Sequence, residues 1–147
     1  SFVVPDNITS IGEKAFYNCD ALTSIIIPDN VTSVGGGAFS DCDDLISITV
    51  PEGVTKLGDS AFDLCDNLLS VYLPETLTAI DDYAFGWCHS LSDVYINTSG
   101  LVTLGGSYVF DNNASDRKIH VKSSYIDAYR TAQYWSEYAD DIVGDLE

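Results

Sequence analysis

Residues 5–27 read Pro-Asp-Asn-Ile-Thr-Ser-Ile-Gly-Glu-Lys-Ala-Phe-Tyr-Asn-Cys-Asp-Ala-Leu-Thr-Ser-Ile-Ile-Ile, and the pattern returns down the chain at a step of 23 residues. Phe16, Phe39, Phe62 and Phe85 keep that step, as do Cys19, Cys42, Cys65 and Cys88. Leu22, Leu45, Leu68 and Leu91 follow it, and so do Pro5, Pro28, Pro51 and Pro74. Several ladders in one register mark a repeat array, in which each unit is a single coil. Within the unit, Ile8, Ile11, Ala15, Phe16, Cys19, Leu22, Ile25 and Ile27 are the apolar positions. One coil cannot bury that set alone. Stacked coils can, because each side chain then rests on its equivalent in the next coil.

The local geometry follows from residue type. Ile25 and Ile27 alternate with Ser24 and Ile26, as a strand buried on one face requires. Pro28 stops the strand because it has no N–H to donate to a ladder. Gly12, Gly35 and Gly58 share one turn position, and Asp81 holds it in the fourth coil. Positive φ is the expected reason, since Gly adopts it freely and Asp tolerates it. Residues 13–19 are expected to form a short helical turn that drives Ala15, Phe16 and Cys19 inward. A degraded fifth coil runs through Leu101-Val102-Thr103-Leu104-Gly105, with Phe110 in the repeat-Phe place and the Cys lost.

After about Ser124 the period ends. Ile126, Tyr129 and Ala132 share one helical face, with Tyr134, Trp135 and Tyr138 following. The expected architecture is a right-handed repeat solenoid of about five 23-residue coils, the first truncated. It has one parallel sheet along a face, short helical turns opposite, and a helical C-terminal cap that covers the last coil. The division is solenoid over 1–122 and cap over 123–147.

The charge excludes some functions. Twenty-three acids face 6 bases, for a net charge of −17. Such a surface repels nucleic acid and anionic membranes, both of which demand basic residues. Nothing reads as a membrane span. The chain opens on Ser1-Phe2-Val3-Val4 and contains no Met. It is expected to be a fragment of a longer protein, with any secretion signal upstream.

The unit Ile-Pro-x-x-Val-Thr-x-Ile-Gly-x-x-Ala-Phe-x-x-Cys-x-x-Leu-x-x-Ile-x-Ile-Pro resembles the BspA-like, or Treponema-type, leucine-rich repeat, and residues 27–51 carry it almost position for position. The tail from Tyr129 through Trp135 and Tyr138 is similar to endings seen in that family. The resemblance implies a secreted or surface-anchored protein of a host-associated bacterium. It further implies a non-enzymatic adhesion or recognition role toward a host or bacterial protein or glycan, with no cofactor and no shared site residues.

Candidate sites follow from the residues themselves. Cysteines 23 residues apart lack the short spacing of a zinc site. Parallel rungs do not converge as a disulfide requires. The four therefore read as buried thiols acting as small hydrophobes, with a disulfide the weaker alternative. The acid ladders Asp6, Asp29, Glu52, Glu75 and Asp20, Asp43, Asp66 read as turn and cap residues that also keep the surface charged. Calcium is the alternative. His89 and His120 stand without a nucleophile motif, so an enzyme is not expected. The outward column of the strand face runs Val3, Ile26, Thr49, Tyr72, Tyr95, His120, with Lys118 beside its end. Tyr72, Tyr95, His120 and Lys118 are the binding candidates. Exposed Tyr is enriched at protein contacts. Arg117, Lys118 and Lys122 cluster at that end, which favours a ligand with an apolar face and acidic groups. Two readings compete with recognition there: cross-strand packing alone, and a stiff spacer whose binding site lies elsewhere in a longer surface protein.

Overall fold

A computed structural model describes residues 1–147. It is a parallel β-solenoid of coils stacked at the 23-residue step, as the repeat requires. Most coils carry one strand of two to five residues on the main face and a two-residue strand on a second face. The main-face strands are β1 (Phe2–Val3), β3 (Ile25–Ile26), β5 (Ser47–Thr49), β7 (Ser70–Leu73), β9 (Asp93–Ile96) and β11 (Lys118–Lys122). The second-face strands are β2 (Ser10–Ile11), β4 (Ser33–Val34), β6 (Lys56–Leu57), β8 (Ala79–Ile80) and β10 (Thr103–Leu104). A closing strand, β12 (Ile142–Leu146), pairs with β11 in parallel.

The expected single sheet is divided. β1 pairs only with β3, while β5, β7, β9, β11 and β12 form a separate five-stranded sheet. The main face is therefore open between β3 and β5. Val4 donates to the Ile26 carbonyl and Val50 to the Tyr72 carbonyl, both at 2.9 Å. The amide of Ile27, the equivalent position between them, makes no backbone bond. The second sheet, β2-β4-β6-β8-β10, is continuous.

Between the sheets lies one apolar core. Phe39, Phe62 and Phe85 are fully buried. Their rings stack in a column with Phe16 and Phe110 at centroid spacings of 5.0–5.7 Å. That spacing follows the rise of one strand per coil. Phe16, Cys19 and Leu22 of the first full coil are only partly buried.

Two expectations about the turns are corrected. Residues 13–19 are not helical. The turn is made by two left-handed positions per coil: Lys14, Gly37, Ser60 and Tyr83, then Asn18, Asp41, Leu64 and Trp87, all at φ between 52° and 62°. This conformation turns alternate amides along the solenoid. Phe16 then donates to the Ala38 carbonyl, Phe39 to Ala61, Phe62 to Ala84 and Phe85 to Val109. The coils are thus bonded to one another on this side too, which a helical turn would prevent by bonding within itself. Gly12, Gly35 and Gly58 do not have positive φ. Gly35 and Gly58 are needed for close approach: a Cβ on Gly58 would stand 2.6 Å from the Gly36 nitrogen, and one on Gly35 2.7 Å from the Glu13 nitrogen.

The four cysteines are free, and three of them have a polar role that their residue type conceals. Cys42, Cys65 and Cys88 each place Sγ 3.1 Å from a carbonyl of the preceding coil, on Phe16, Phe39 and Phe62 respectively. No backbone amide reaches those carbonyls. Burial pushes the Cys42 thiol up to about 12. The Cys65 thiol is raised as well, first by the neighbouring Cys88 thiol and then by burial. In the fifth coil, Asn113 takes over and donates to the Phe85 carbonyl at 2.8 Å. Arg117 then donates to the Phe110 carbonyl at 2.6 Å.

The cap is only partly helical. Its single α-helix, α1 (Ile126–Thr131), is followed by a 3-10 turn over Trp135–Tyr138 and then by β12. Tyr129, Trp135 and Tyr138 are buried on the last coil. Their polar atoms replace the coil that does not follow. Phe110, which would otherwise donate to a next-coil carbonyl, donates to Tyr138 Oη at 3.3 Å. Trp135 Nε1 donates to the Val102 carbonyl at 2.6 Å, and the Val102 amide donates to Tyr129 Oη at 3.2 Å.

Candidate binding surface on the strand face

Alternation along β7 and β9 buries Val71, Leu73, Val94 and Ile96 and leaves Tyr72 and Tyr95 facing outward. Register places Thr49, Tyr72, Tyr95 and His120 in successive strands. Their spacing makes the rings stack: Tyr72 on Tyr95 at 4.8 Å and 2°, Tyr95 on His120 at 4.4 Å and 10°. Three aromatic groups therefore form one outward column. Tyr72 is 43% exposed. Burial first, then the Asp93 carboxylate, holds the Tyr95 phenol above its ordinary range.

His120 belongs to the column but is not free. Its side chain is only 13% exposed. Nε2 lies 3.1 Å from Asp93 Oδ1 and Nδ1 lies 2.8 Å from Asp145 Oδ2. The carboxyl of Asp93 is held below its usual range, first by the Ser92 hydroxyl and also by His120, against the effect of burial. Asp145 comes from β12, which pairs beyond His120 through Val143. The closing strand thus covers the end of the column.

The basic cluster beside it is also largely engaged. Arg117 is buried, with its guanidinium on the Phe110 carbonyl and paired with Asp141. Lys122 Nζ lies 3.9 Å from Glu75 Oε1. Only Lys118 is exposed without an ion-pair partner. The acidic ligand expected at this corner would meet one unpaired cation, Lys118, with Asp93 at the opposed position on β9.

The column is open at its other end. Thr49 stands where the next ring would be, between Tyr72 and the 64%-exposed Ile26. Two depressions adjoin it. One of about 200 Å³ is lined by Thr49, Glu52, Tyr72, Tyr95 and Asn97 among others. The second, about 330 Å³, lies in the opening between β3 and β5 and includes Ser24, Ile26, Asp29, Ser47 and Thr49. The column was legible from strand alternation. The opening beside it was not, because nothing in the repeat distinguishes β3–β5 from its neighbours. No group of three or more His, Cys, Asp or Glu side chains converges to hold a metal, so the acid ladders are strings of separate carboxylates. No helix is long and apolar enough to cross a membrane.

Stacked parallel coils, one apolar ladder per repeat position and an aromatic cap define a leucine-rich-repeat solenoid. The chain belongs to the BspA-type leucine-rich-repeat family, whose sequence model matches six copies over residues 1–132. A leucine rich cell surface protein of Faecalibacterium prausnitzii A2-165 is 30% identical, with a TM-score of 0.75 over 99% of this chain. The chain spans 35% of that protein's length. A leucine rich repeat protein of T. pallidum shares the fold at 20% identity, with a TM-score of 0.58 over 99% of this chain and 84% of its own. A leucine-rich repeat protein of Bacteroides capillosus ATCC 29799 does so at 21% identity and a TM-score of 0.51, over 82% of this chain and 76% of its own. No match was found among functionally curated proteins. The family is defined by a repeat, not by a reaction.

Proposed function

We propose that this chain is a recognition module of a bacterial surface protein and that it binds a protein or glycan through its strand face. The observation that carries this reading is the outward Tyr72–Tyr95 stack on a parallel sheet, with Tyr72 exposed and Tyr95 half-buried. Packing inside the solenoid does not require aromatic rings there, since the outward position is Thr49 in β5 and Ile26 in β3. Rigid aromatic side chains give contact area at low entropic cost, which suits them to binding surfaces. The similarity to a leucine rich cell surface protein supports an extracellular setting.

The test is a binding screen of the whole chain against extracellular-matrix proteins and a glycan array, repeated with Tyr72→Ala/Tyr95→Ala. The double variant is expected to lose the binding seen with wild type and to stay folded with a modestly lowered melting temperature, since Tyr72 is exposed and Tyr95 only half-buried. Full binding by a folded double variant would place the site elsewhere and favour a spacer role.

A further inference from the structure

We infer that the gap in the outward column at Thr49 is a slot for an arginine side chain of the bound partner. This rests on the strand-face reading above and makes it specific. Tyr95 is sandwiched between two rings, but Tyr72 has a neighbour on one side only. Its second ring face looks over Thr49, whose small side chain does not cover it with a ring. A planar group at the level of Thr49 would sit one strand spacing, roughly 4.8 Å, from the Tyr72 ring. The break between β3 and β5 opens a depression on the other side of Thr49.

The surrounding chemistry selects the planar group. Glu52 stands at the level of Thr49 and lines the depression beside Tyr72, and Asp29, its equivalent one coil earlier, lines the depression between β3 and β5. Neither is in a salt bridge, whereas Glu75, their equivalent in the next coil, is within 3.9 Å of Lys122. An aromatic face with two unneutralised carboxylates along its edge, on a chain of net charge −17, attracts a cation. A guanidinium fits better than an ammonium: it is planar, stacks on aromatic rings, and directs its N–H donors outward in its own plane toward carboxylates. The hydroxyls of Ser24, Ser47 and Thr49 supply further acceptors.

The test is a titration of the isotopically labelled chain with N-acetyl-argininamide, followed by amide NMR shifts at about 0.15 M salt to screen diffuse attraction. Saturable shifts are expected at Ile27, Thr49 and Tyr72. N-acetyl-lysinamide should bind there at least tenfold more weakly. Thr49→Tyr, which supplies the missing ring, should abolish the shifts. Glu52→Gln, which keeps an acceptor for the Glu75 amide at 3.2 Å, should weaken them several-fold. Equal binding of the two amides, saturable binding of methyl glucoside without that of the arginine probe, or unchanged binding by Glu52→Gln would each overturn the slot. The two readings part on a captured partner. Loss with Tyr72→Ala/Tyr95→Ala but not with Thr49→Tyr keeps strand-face recognition and removes the arginine slot. Retention by both variants removes strand-face recognition itself.

Discussion

Asn113 donates its side-chain amide to the Phe85 carbonyl at 2.8 Å, in the place that Cys88 holds against Phe62 one coil earlier. The fifth coil has lost its cysteine but kept the bond. The repeat cysteine is therefore a hydrogen-bond donor as well as a small apolar filler. Asn113→Ala removes the only side chain that bonds the Phe85 carbonyl, which no backbone amide reaches. The expected loss is about 1–3 kcal/mol, read from urea denaturation. A change below about 0.5 kcal/mol would show that the carbonyl needs no partner.

The same logic revises what a serine should do at the cysteine positions. From sequence alone, a hydroxyl there has no evident partner. In the structure it inherits the carbonyl that Cys65 bonds, Phe39 O at 3.1 Å. Cys65→Ser is therefore expected to be less destabilising than Cys65→Ala, which loses both donor and volume. Thermal melts of the two variants decide this, and the opposite order would mean the thiol contributes only by packing.

Gly12 and Gly58 share a repeat position but should respond oppositely to alanine. A Cβ on Gly12 meets nothing within 4 Å, and one on Gly58 meets the Gly36 backbone at 2.6 Å. Gly12→Ala should be neutral, or stabilising by up to about 1 kcal/mol through the unfolded chain. Gly58→Ala must push two coils apart and should cost at least about 2 kcal/mol. Equal melting temperatures would refute the close-approach explanation.

Asp63 sets a pH dependence of unusual sign. Burial pushes its carboxyl from 3.8 up to about 6, and Oδ1 has no hydrogen-bond partner. Between those values the folded chain binds more protons at this site than the unfolded chain. Its contribution to stability therefore falls as pH rises from about 4 to about 6, and stays low above that. Asp63→Asn should raise the melting temperature at pH 7, with the advantage shrinking toward pH 4. A constant difference across that range would mean Asp63 stays charged in the fold.

β12 is expected to be essential to the cap. Ile142 is fully buried and sits beside Ile119 in register. Ile142→Ala should cost about 2–5 kcal/mol, measured by urea denaturation. Removing residues 142–147 should also uncover His120 and lower the melting temperature further. A truncated chain that melts like wild type would make β12 an ornament and leave capping to Tyr129, Trp135 and Tyr138.

The sequence by itself determined the solenoid. Phe16, Phe39, Phe62 and Phe85 at one step admit no other burial than stacking, and alternation around Val71 and Val94 forces Tyr72 and Tyr95 outward. Periodicity reports what is common to the coils, and the site rests on what differs between them. The break between β3 and β5, the open ring face of Tyr72, and the engagement of Arg117 and Lys122 inside the fold were decided only in three dimensions. So was β12. Val143 and Gly144 lie outside the repeat, and their place beside His120 and Val121 depends on α1 and the following turn carrying the chain back to the sheet edge. The glycine turn was misread for a related reason. Conformational freedom can be inferred at one residue, but the closeness of Gly58 to Gly36 depends on two coils already being stacked.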